Sequence, residues 1–193
     1  MRRLAKDNLN SPQHMDWVWQ QPDMHRFDYE RLNFLIRQAT ATDRVLDVGA
    51  GKFGACEYMN DPKMELHAVD FSKVAIEHIN ATASAVKAVL WDIREGLPYP
   101  DGMFDCVILG EIVEHWEEPQ KLINEAVRVC KTGGWLTLST VNTASEDAKK
   151  HGAYPEHLFE FTQEDLEALF VNAGCSEVRY STVGNYMCIE ARK

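Results

Sequence analysis

Three glycines, with an acidic residue two places before the first, form the stretch whose spacing most clearly suggests chemistry. Asp47 precedes Gly49, Gly51 and Gly54, and the mostly apolar residues 45–48 predict a short buried strand that leads into them. Glycine has no Cβ, so bare backbone can approach a ligand closely. The first N–H groups of the following helix would point at the same ligand. The spacing fits the fingerprint G-x-G-x-x-G, which by itself predicts an adenosine-bearing ligand without identifying it.

Acidic residues also follow the next two predicted strands. Strands at 64–69 and 86–91 are followed by Asp70 and Asp92, and ligands of open parallel sheets lie beyond the carboxyl ends of the strands. Asp70 comes 23 residues after Asp47, in the range where a carboxylate meets a ribose diol. Further carboxylates would repel the pyrophosphate of NAD, whereas S-adenosylmethionine brings a sulfonium and an ammonium that acidic residues attract. The alternative that these aspartates only cap helices stays open.

Predicted strands and helices alternate along the chain. The predicted strands are 45–48, 64–69, 86–91, 104–109, 135–141, 177–182 and 186–191, and the predicted helices are 28–38, 53–59, 73–84, 122–130 and 163–172. Such alternation predicts an α/β fold with a parallel sheet and right-handed crossovers. The last two strands, joined through Gly184 and Asn185, predict an antiparallel hairpin at one edge.

Length and composition are typical of one globular domain spanning residues 1–193. The chain is 45% hydrophobic and 26% charged, and we expect residues 28–193 to form the cofactor-binding core. Residues 1–27 show little periodicity and have two interpretations. They form either an irregular arm packed on the body or a lid over the substrate.

Charge and cysteine usage limit the expected partners and compartment. A formal net charge of −10 argues against a nucleic-acid partner, which requires a basic surface. Five cysteines without any C-x-x-C predict reduced thiols. No apolar run approaches the ~20 residues that span a bilayer, and no secretory signal is recognisable at the start. We therefore expect a cytoplasmic protein without a membrane partner; the oligomeric state is not predicted.

Six pieces of the sequence resemble the class I S-adenosylmethionine-dependent methyltransferases, in the order that the family has them. The pieces are residues 45–51, 68–72, 91–93, 104–108, 111–116 and 133–136. The resemblance implies S-adenosylmethionine as cofactor. It also implies an α/β, doubly wound, mostly parallel seven-stranded sheet of order 3-2-1-4-5-7-6 with an antiparallel C-terminal strand. One departure is the segment 131–134, where the family often has proline before the glycine pair.

The resemblance also assigns cofactor contacts to individual residues of this chain. The implied contacts are Asp47, Gly49 and Gly51 with the methionine end, Asp70 with the ribose hydroxyls, Phe71 and Ile93 with the adenine ring, Asp92 with the adenine amino group, and Glu111 near the sulfonium and the substrate.

His115 and His157 are the candidate catalytic residues. Methyl transfer is an in-line displacement in which positioning does much of the work, and a hydroxyl nucleophile also benefits from a base. Glu111, Glu114 and His115 fall within five residues, and His157 follows Glu156 shortly before a helix. This arrangement resembles the small-RNA 2′-O-methyltransferases and the ubiquinone-pathway O-methyltransferases, in which Glu-x-x-Glu-His contributes to a divalent-cation site. A general base, a metal site and a wall of the pocket remain three open interpretations.

We expect methyl transfer to oxygen or nitrogen of a small-molecule acceptor. An RNA or protein methyltransferase is one alternative; RNA would require a basic groove and salt-sensitive binding. The other alternative is a methyltransferase-like module that holds the cofactor without turnover. A broken cofactor loop would favour that module, and this loop is intact.

Overall fold

A seven-stranded mixed sheet forms the centre of the computed structural model, which describes residues 1–4, 10–21, 27–145 and 155–193. The strands are β1 (Arg44–Val48), β2 (Glu65–Asp70), β3 (Val86–Leu90), β4 (Phe104–Gly110), β5 (Cys130–Val141), β6 (Ser176–Val183) and β7 (Tyr186–Arg192). Their order across the sheet is β3-β2-β1-β4-β5-β7-β6. Strands β1 to β5 pair in parallel, and β7 runs antiparallel to both β5 and β6. The predicted fold class and strand order are therefore confirmed.

Helices cover both faces of this sheet. They are α1 (Pro12–Val18), α2 (Tyr29–Ile36), α3 (Ala55–Met59), α4 (Lys73–Thr82), α5 (Pro119–Val129) and α6 (Gln163–Asn172). One buried apolar cluster joins the sheet to α5 and α6 through residues such as Ile123 and Phe170. A second cluster joins the opposite face to α2, α3 and α4 through residues such as Leu32 and Ile79. The sheet is therefore doubly wound, with a core on each side.

Local capping starts three of these helices where the sequence predicts it. The Asp28 carboxylate accepts a hydrogen bond from the Arg31 N–H at 3.2 Å, and the Ser72 hydroxyl accepts one from the Ala75 N–H at 3.2 Å. Thr162 and Asp165 form a reciprocal capping box at the start of α6. Each cap satisfies a backbone donor that the helix itself cannot pair.

Strand β5 begins five residues earlier than predicted. The segment 131–134 connects a predicted helix to a predicted strand, but it lies within β5, next to a register shift between Phe104 and Cys106 of the neighbouring strand. The Gly133 N–H donates to the Lys193 carbonyl at 2.7 Å, and the Lys193 N–H donates to the Gly134 carbonyl at 3.1 Å. The C-terminal residue thus supplies the ladder partner, which the local sequence does not reveal.

The N-terminal arm has more regular structure than its sequence suggests. Ser11 caps α1, and a two-residue strand at Arg2–Arg3 pairs with Phe159–Glu160. Asp16 of α1 accepts hydrogen bonds from the Ser72 hydroxyl at 2.5 Å and the Val74 N–H at 3.1 Å, at the start of α4. The described part of the arm is therefore helical at Pro12–Val18 and not irregular there, and the lid interpretation stays a prediction.

Several expectations fall on parts of the chain that the structure does not describe. Residues 5–9, 22–26 and 146–154 lie outside the described residues. The polar segment 142–155 predicts a loop, and most of it falls within these segments, as do parts of the arm at 1–27. In the described part of the chain, no helix has the length and apolar character needed to cross a membrane.

Candidate active site

A cavity of about 860 Å³ lies beyond the carboxyl ends of β1, β2 and β4. Its volume falls in the range of roughly 300–1,000 Å³ that is typical of small-molecule sites. The predicted site residues that line it are Asp47, Gly49, Asp70, Phe71, Ile93, Glu111, His115 and His157. The cavity also takes walls from the N-terminal arm, through residues such as Met15, Trp17 and Trp19. The fold therefore brings together residues that lie far apart in the sequence.

Two predicted cofactor residues do not line the cavity. The indole of Trp19 covers Gly51, whose N–H donates to the Asp70 carboxylate at 2.8 Å. The Asp92 carboxylate caps the short 3-10 helix Ile93–Glu95 and pairs with the guanidinium of Arg94 at 2.5 Å. The hydrogen bonds from Arg94 lower the pKa of Asp92. The expected contacts of Gly51 and Asp92 with the cofactor stay predictions.

The glycine loop is packed against protein side chains. Gly49 and Gly51 have φ values of +67° and +57°, in the left-handed region that glycine adopts without a steric penalty. A Cβ at Gly49 would lie 2.2 Å from Cδ1 of Ile112, and one at Gly51 would lie 2.3 Å from Cζ2 of Trp19. Glycine is therefore suited to both positions, because the backbone has a positive φ there and the neighbouring side chain leaves no room for a Cβ.

The carboxylates of Asp47 and Asp70 hold the glycine loop and its flanking segments by accepting hydrogen bonds from backbone N–H groups. Asp70 accepts hydrogen bonds from the N–H groups of Gly51 at 2.8 Å and Ser72 at 2.7 Å. Asp47 accepts one from the Cys56 N–H, at the start of α3, at 3.0 Å. Both carboxyl groups are buried, and burial raises the pKa of each to about 6. They therefore change charge close to neutral pH.

We expect binding of a cationic cofactor to weaken as the pH falls below 6. Only the ionised forms of Asp47 and Asp70 attract a sulfonium, and at pH 5 a carboxyl of pKa about 6 is mostly protonated. Each carboxyl that must ionise should then weaken binding about tenfold between pH 7.5 and pH 5. Calorimetry with S-adenosylmethionine in buffers of different ionisation enthalpy should also detect proton release near pH 6. Equal affinity at the two pH values, without proton release, would contradict the expected role of these carboxylates.

Glu111 stands at the end of β4 in an unusual backbone conformation. Its φ is +55°, which is uncommon for a residue with a side chain and occurs often at functional sites. The Ser139 hydroxyl donates to its Oε1 at 2.9 Å, and the Glu111 N–H donates to the Ser139 carbonyl at 3.0 Å. Burial, and then the nearby charge of Glu114, raise the pKa of Glu111 to about 8. The loop after β4 therefore holds a carboxyl group that resists ionisation.

Glu114, His115 and His157 form a compact cluster beside Glu111. One ligand atom from each of the three residues lies within 4.8 Å of the others. The two imidazole rings stand perpendicular, with centroids 4.8 Å apart, and Nδ1 of His115 lies 3.1 Å from the Glu156 carbonyl oxygen. Both histidines line the cavity. Residues separated by more than 40 positions are thus combined into one set of nitrogen and oxygen donors.

Burial keeps both histidines neutral at physiological pH. It lowers the pKa of His115, and it lowers that of His157 to about 3 with a further contribution from His115. A histidine with so low a pKa is a weak proton acceptor, so the environment disfavours a general-base role for His157. A neutral imidazole is, however, the form that binds metal ions.

Asn10 is a positioning residue that the sequence did not suggest. Its side-chain amide donates to the carbonyl oxygens of His115 at 3.2 Å and Glu156 at 2.9 Å. This bridge ties the N-terminal arm to the two segments that carry the histidines. A single polar residue in an aperiodic arm carries no sequence signal for such a contact.

The mixed sheet, the glycine loop after β1 and the acidic residues at the tips of β1 and β2 define a class I methyltransferase domain. A family model described as a methyltransferase domain matches residues 46–138. The chain is 30% identical over 124 residues to the ubiquinone biosynthesis O-methyltransferase of Thiobacillus denitrificans, covering 62% of this chain and 53% of that protein. It is 29% identical over 166 residues to a human tRNA N(3)-cytidine methyltransferase, covering 73% of this chain and 44% of that protein.

Solved structures agree with this fold assignment. An S-adenosylmethionine-dependent methyltransferase from Thermotoga maritima, described as a possible histamine N-methyltransferase, matches with a TM-score of 0.70 at 20% identity. The match covers 94% of this chain and 97% of that one. The family model, the relatives and the solved structures together support a class I S-adenosylmethionine-dependent methyltransferase domain with S-adenosylmethionine as its cofactor. The chain spans about half the length of the curated relatives that it matches.

Proposed function

We propose that this chain transfers a methyl group from S-adenosylmethionine to oxygen or nitrogen of a small-molecule acceptor, and that a hydroxyl oxygen is the favoured target. The observation that carries this choice is the cluster of Glu114, His115 and His157, whose ligand atoms lie within 4.8 Å of one another and whose two histidines line the cavity. Such a donor set suits a divalent cation. A bound cation would polarise an acceptor hydroxyl and favour its deprotonation.

The Glu114 carboxylate supports this proposal. Its side chain is 1% exposed, and neither oxygen has a hydrogen-bond partner of normal geometry among the described residues. The Thr140 hydroxyl and the Val141 N–H lie close enough to lower its pKa somewhat, but burial dominates and raises that pKa to about 7. A buried carboxylate whose oxygens make no well-formed hydrogen bond is costly, and a metal ion is one group that relieves the cost.

Apart from any cation, the chain's own residues contribute to methyl transfer by holding the groups of the site in position. Ser139 fixes the Glu111 carboxyl, and Asn10 fixes the backbone of His115 and Glu156. Rigid placement of this kind holds an acceptor in line with the methyl group and replaces solvent reorganisation during transfer.

The charge of the cavity supports a small acceptor over RNA. The acidic residues in its walls are Asp28, Asp47, Asp70, Glu111, Glu117, Glu118, Glu125 and Glu156, against the cations Arg31, Lys52, Arg94 and Lys121. Such a surplus of carboxylates would repel a phosphate backbone. Because one relative is a tRNA methyltransferase, the experiment below also includes tRNA as an acceptor.

Turnover after metal removal tests the proposal. The protein is treated with EDTA, and S-adenosylhomocysteine release is measured with panels of phenols and catechols, of amines, and with total tRNA. Each panel is assayed with and without added Mg²⁺, Mn²⁺ or Zn²⁺. We expect transfer to hydroxyl acceptors that EDTA abolishes and one of these cations restores.

Other outcomes would replace the proposal. Transfer to amines that ignores EDTA would leave a small-molecule N-methyltransferase without a metal. Transfer to tRNA that weakens steeply with salt would favour the RNA alternative. Cofactor binding without turnover in any panel would favour a binding module.

A further inference from the structure

Phe53, within the glycine loop, has a backbone conformation that a bulky residue rarely adopts. Its φ is +60°, in the left-handed region, where the approach of Cβ to a carbonyl oxygen disfavours residues other than glycine. Phe53 also lines the cavity. Such a conformation persists only where the surrounding structure holds it, and it occurs often at functional sites. The contacts that hold Phe53 should therefore matter for the ligand of the cavity.

The carboxylate of Glu57 makes the contact that holds this backbone. Glu57 lies at the third position of α3, and its side chain is buried. Its Oε2 atom accepts a hydrogen bond from the Phe53 N–H at 2.7 Å. Bonds of this kind to a charged acceptor are stronger than bonds between neutral groups, and this one depends on the direction in which the backbone of Phe53 presents its N–H.

Helix α4 holds the other oxygen of the Glu57 carboxylate. Nε2 of His78 lies 2.8 Å from Oε1, and the Thr82 hydroxyl donates to the same atom at 2.8 Å. The His78 ring also packs on the Phe53 ring, with centroids 4.9 Å apart, and the Phe27 ring meets Phe53 edge-on at 5.2 Å. One buried carboxylate thus links α4, α3 and the glycine loop, while two rings pack on the Phe53 side chain.

Carboxylates hold the loop at three successive points. The two strand-tip aspartates accept hydrogen bonds from the N–H groups of Gly51 and Cys56, and Glu57 acts between these positions. Glu57 does not line the cavity, so any effect on a ligand must pass through Phe53. We propose that Glu57 is a positioning residue for cofactor binding, which keeps Phe53 in the left-handed conformation and so gives the loop the shape that the cofactor requires. This proposal rests on the cofactor assignment and is independent of the acceptor.

A double-mutant cycle tests the assignment by calorimetry with S-adenosylhomocysteine. Glu57→Ala removes the acceptor of the Phe53 N–H, and we expect roughly 10-fold weaker binding, because only a fraction of the molecules then keeps the required loop shape. Glycine adopts a positive φ without support, so the same change in a Phe53→Gly background should weaken binding by less than about threefold. Glu57→Gln keeps an acceptor oxygen and should bind within about threefold of the wild type.

Glu77→Ala is the matched control for these variants. Glu77 is an exposed glutamate of α4 that pairs with Lys73 outside the cavity, so its removal should leave the affinity unchanged. Thermal unfolding checks the fold of each variant. Hydrogen exchange should become faster in the glycine loop of Glu57→Ala and stay unchanged in α6, which a general loss of stability would not produce. If Glu57→Ala does not fold, the cycle is run with Glu57→Asp, whose carboxylate is one methylene further from the Phe53 N–H.

Several results would overturn the assignment. Equal losses from Glu57→Ala in the two backgrounds would mean that Glu57 does not act through the conformation of Phe53. Equal losses in Glu57→Gln and Glu57→Ala would make the charge, and not the hydrogen bond, the contribution of this side chain. Wild-type affinity in a folded Glu57→Ala protein would leave Glu57 without a role in cofactor binding. A wild-type protein that does not bind S-adenosylhomocysteine would remove the cofactor assignment as well, whereas absent turnover alone would leave both standing.

Discussion

Asp70→Asn is expected to weaken S-adenosylhomocysteine binding by about 100-fold at pH 7.5. The carboxylate accepts hydrogen bonds from the N–H groups of Gly51 and Ser72, and it faces the cavity where we expect the ribose. An asparagine keeps the shape of the side chain, but its NH₂ group would meet one of these backbone donors. Hydrogen bonds to charged groups contribute about 1.5–3 kcal/mol each, so losing the loop geometry and a ribose contact together corresponds to about two orders of magnitude.

Calorimetry measures this loss of affinity, and it is compared with a control variant and with the thermal stability of Asp70→Asn. Asp101→Asn removes an exposed carboxylate that pairs with Arg128 outside the cavity, and we expect its affinity to equal that of the wild type. Thermal unfolding of Asp70→Asn separates a local change of the glycine loop from global unfolding. An affinity within about threefold of wild type in a folded Asp70→Asn protein would remove Asp70 from the cofactor site.

His157→Gln and Glu114→Gln should each lower turnover with a hydroxyl acceptor by about 100-fold or more. Each change removes one of the three grouped ligand atoms, while the amide preserves much of the volume and polarity. A cation site that loses one of three protein ligands loses most of its affinity, and the hydroxyl then lacks its activation. Binding of S-adenosylhomocysteine should stay within about twofold of wild type, because its expected contacts lie at Asp47, Asp70 and Phe71.

The split between turnover and cofactor binding is the informative result. His67→Gln provides a matched control, since His67 is also buried but contacts Tyr99 and Phe104 and does not line the cavity. We expect wild-type turnover from it if the fold is intact. Direct measurement of metal content after incubation with Mn²⁺ or Zn²⁺ should show a loss in the two cluster variants. Equal turnover in His157→Gln and the wild type would reduce the cluster to a wall of the pocket.

The sequence by itself determined the order of the helices and strands and which acidic residues stand at the ends of the strands. Helix starts at Asp28, Ser72 and Thr162 follow from hydrogen bonds that span three residues, so local sequence contains both partners. The apolar strands and the helical spacing between them led to the doubly wound sheet. Because the carboxyl ends of parallel strands meet at one edge, Asp47, Asp70 and Asp92 could be grouped without any coordinates, and the first two line the cavity. The prediction of a strand–glycine loop–helix unit depended on neighbouring residues alone.

Tertiary structure decided the contacts between segments that no local pattern links. The indole of Trp19 covers Gly51, and the guanidinium of Arg31 lies against Gly110. The side chain of Asn10 donates to the carbonyl of His115, which is 105 positions away in the sequence. The start of β5 likewise depends on Lys193 at the other end of the chain. Such contacts form because helices and the arm must bury their apolar faces on a particular part of the sheet, which fixes their polar neighbours as well. Sequence therefore indicated where ligands gather, and packing decided which side chains surround them.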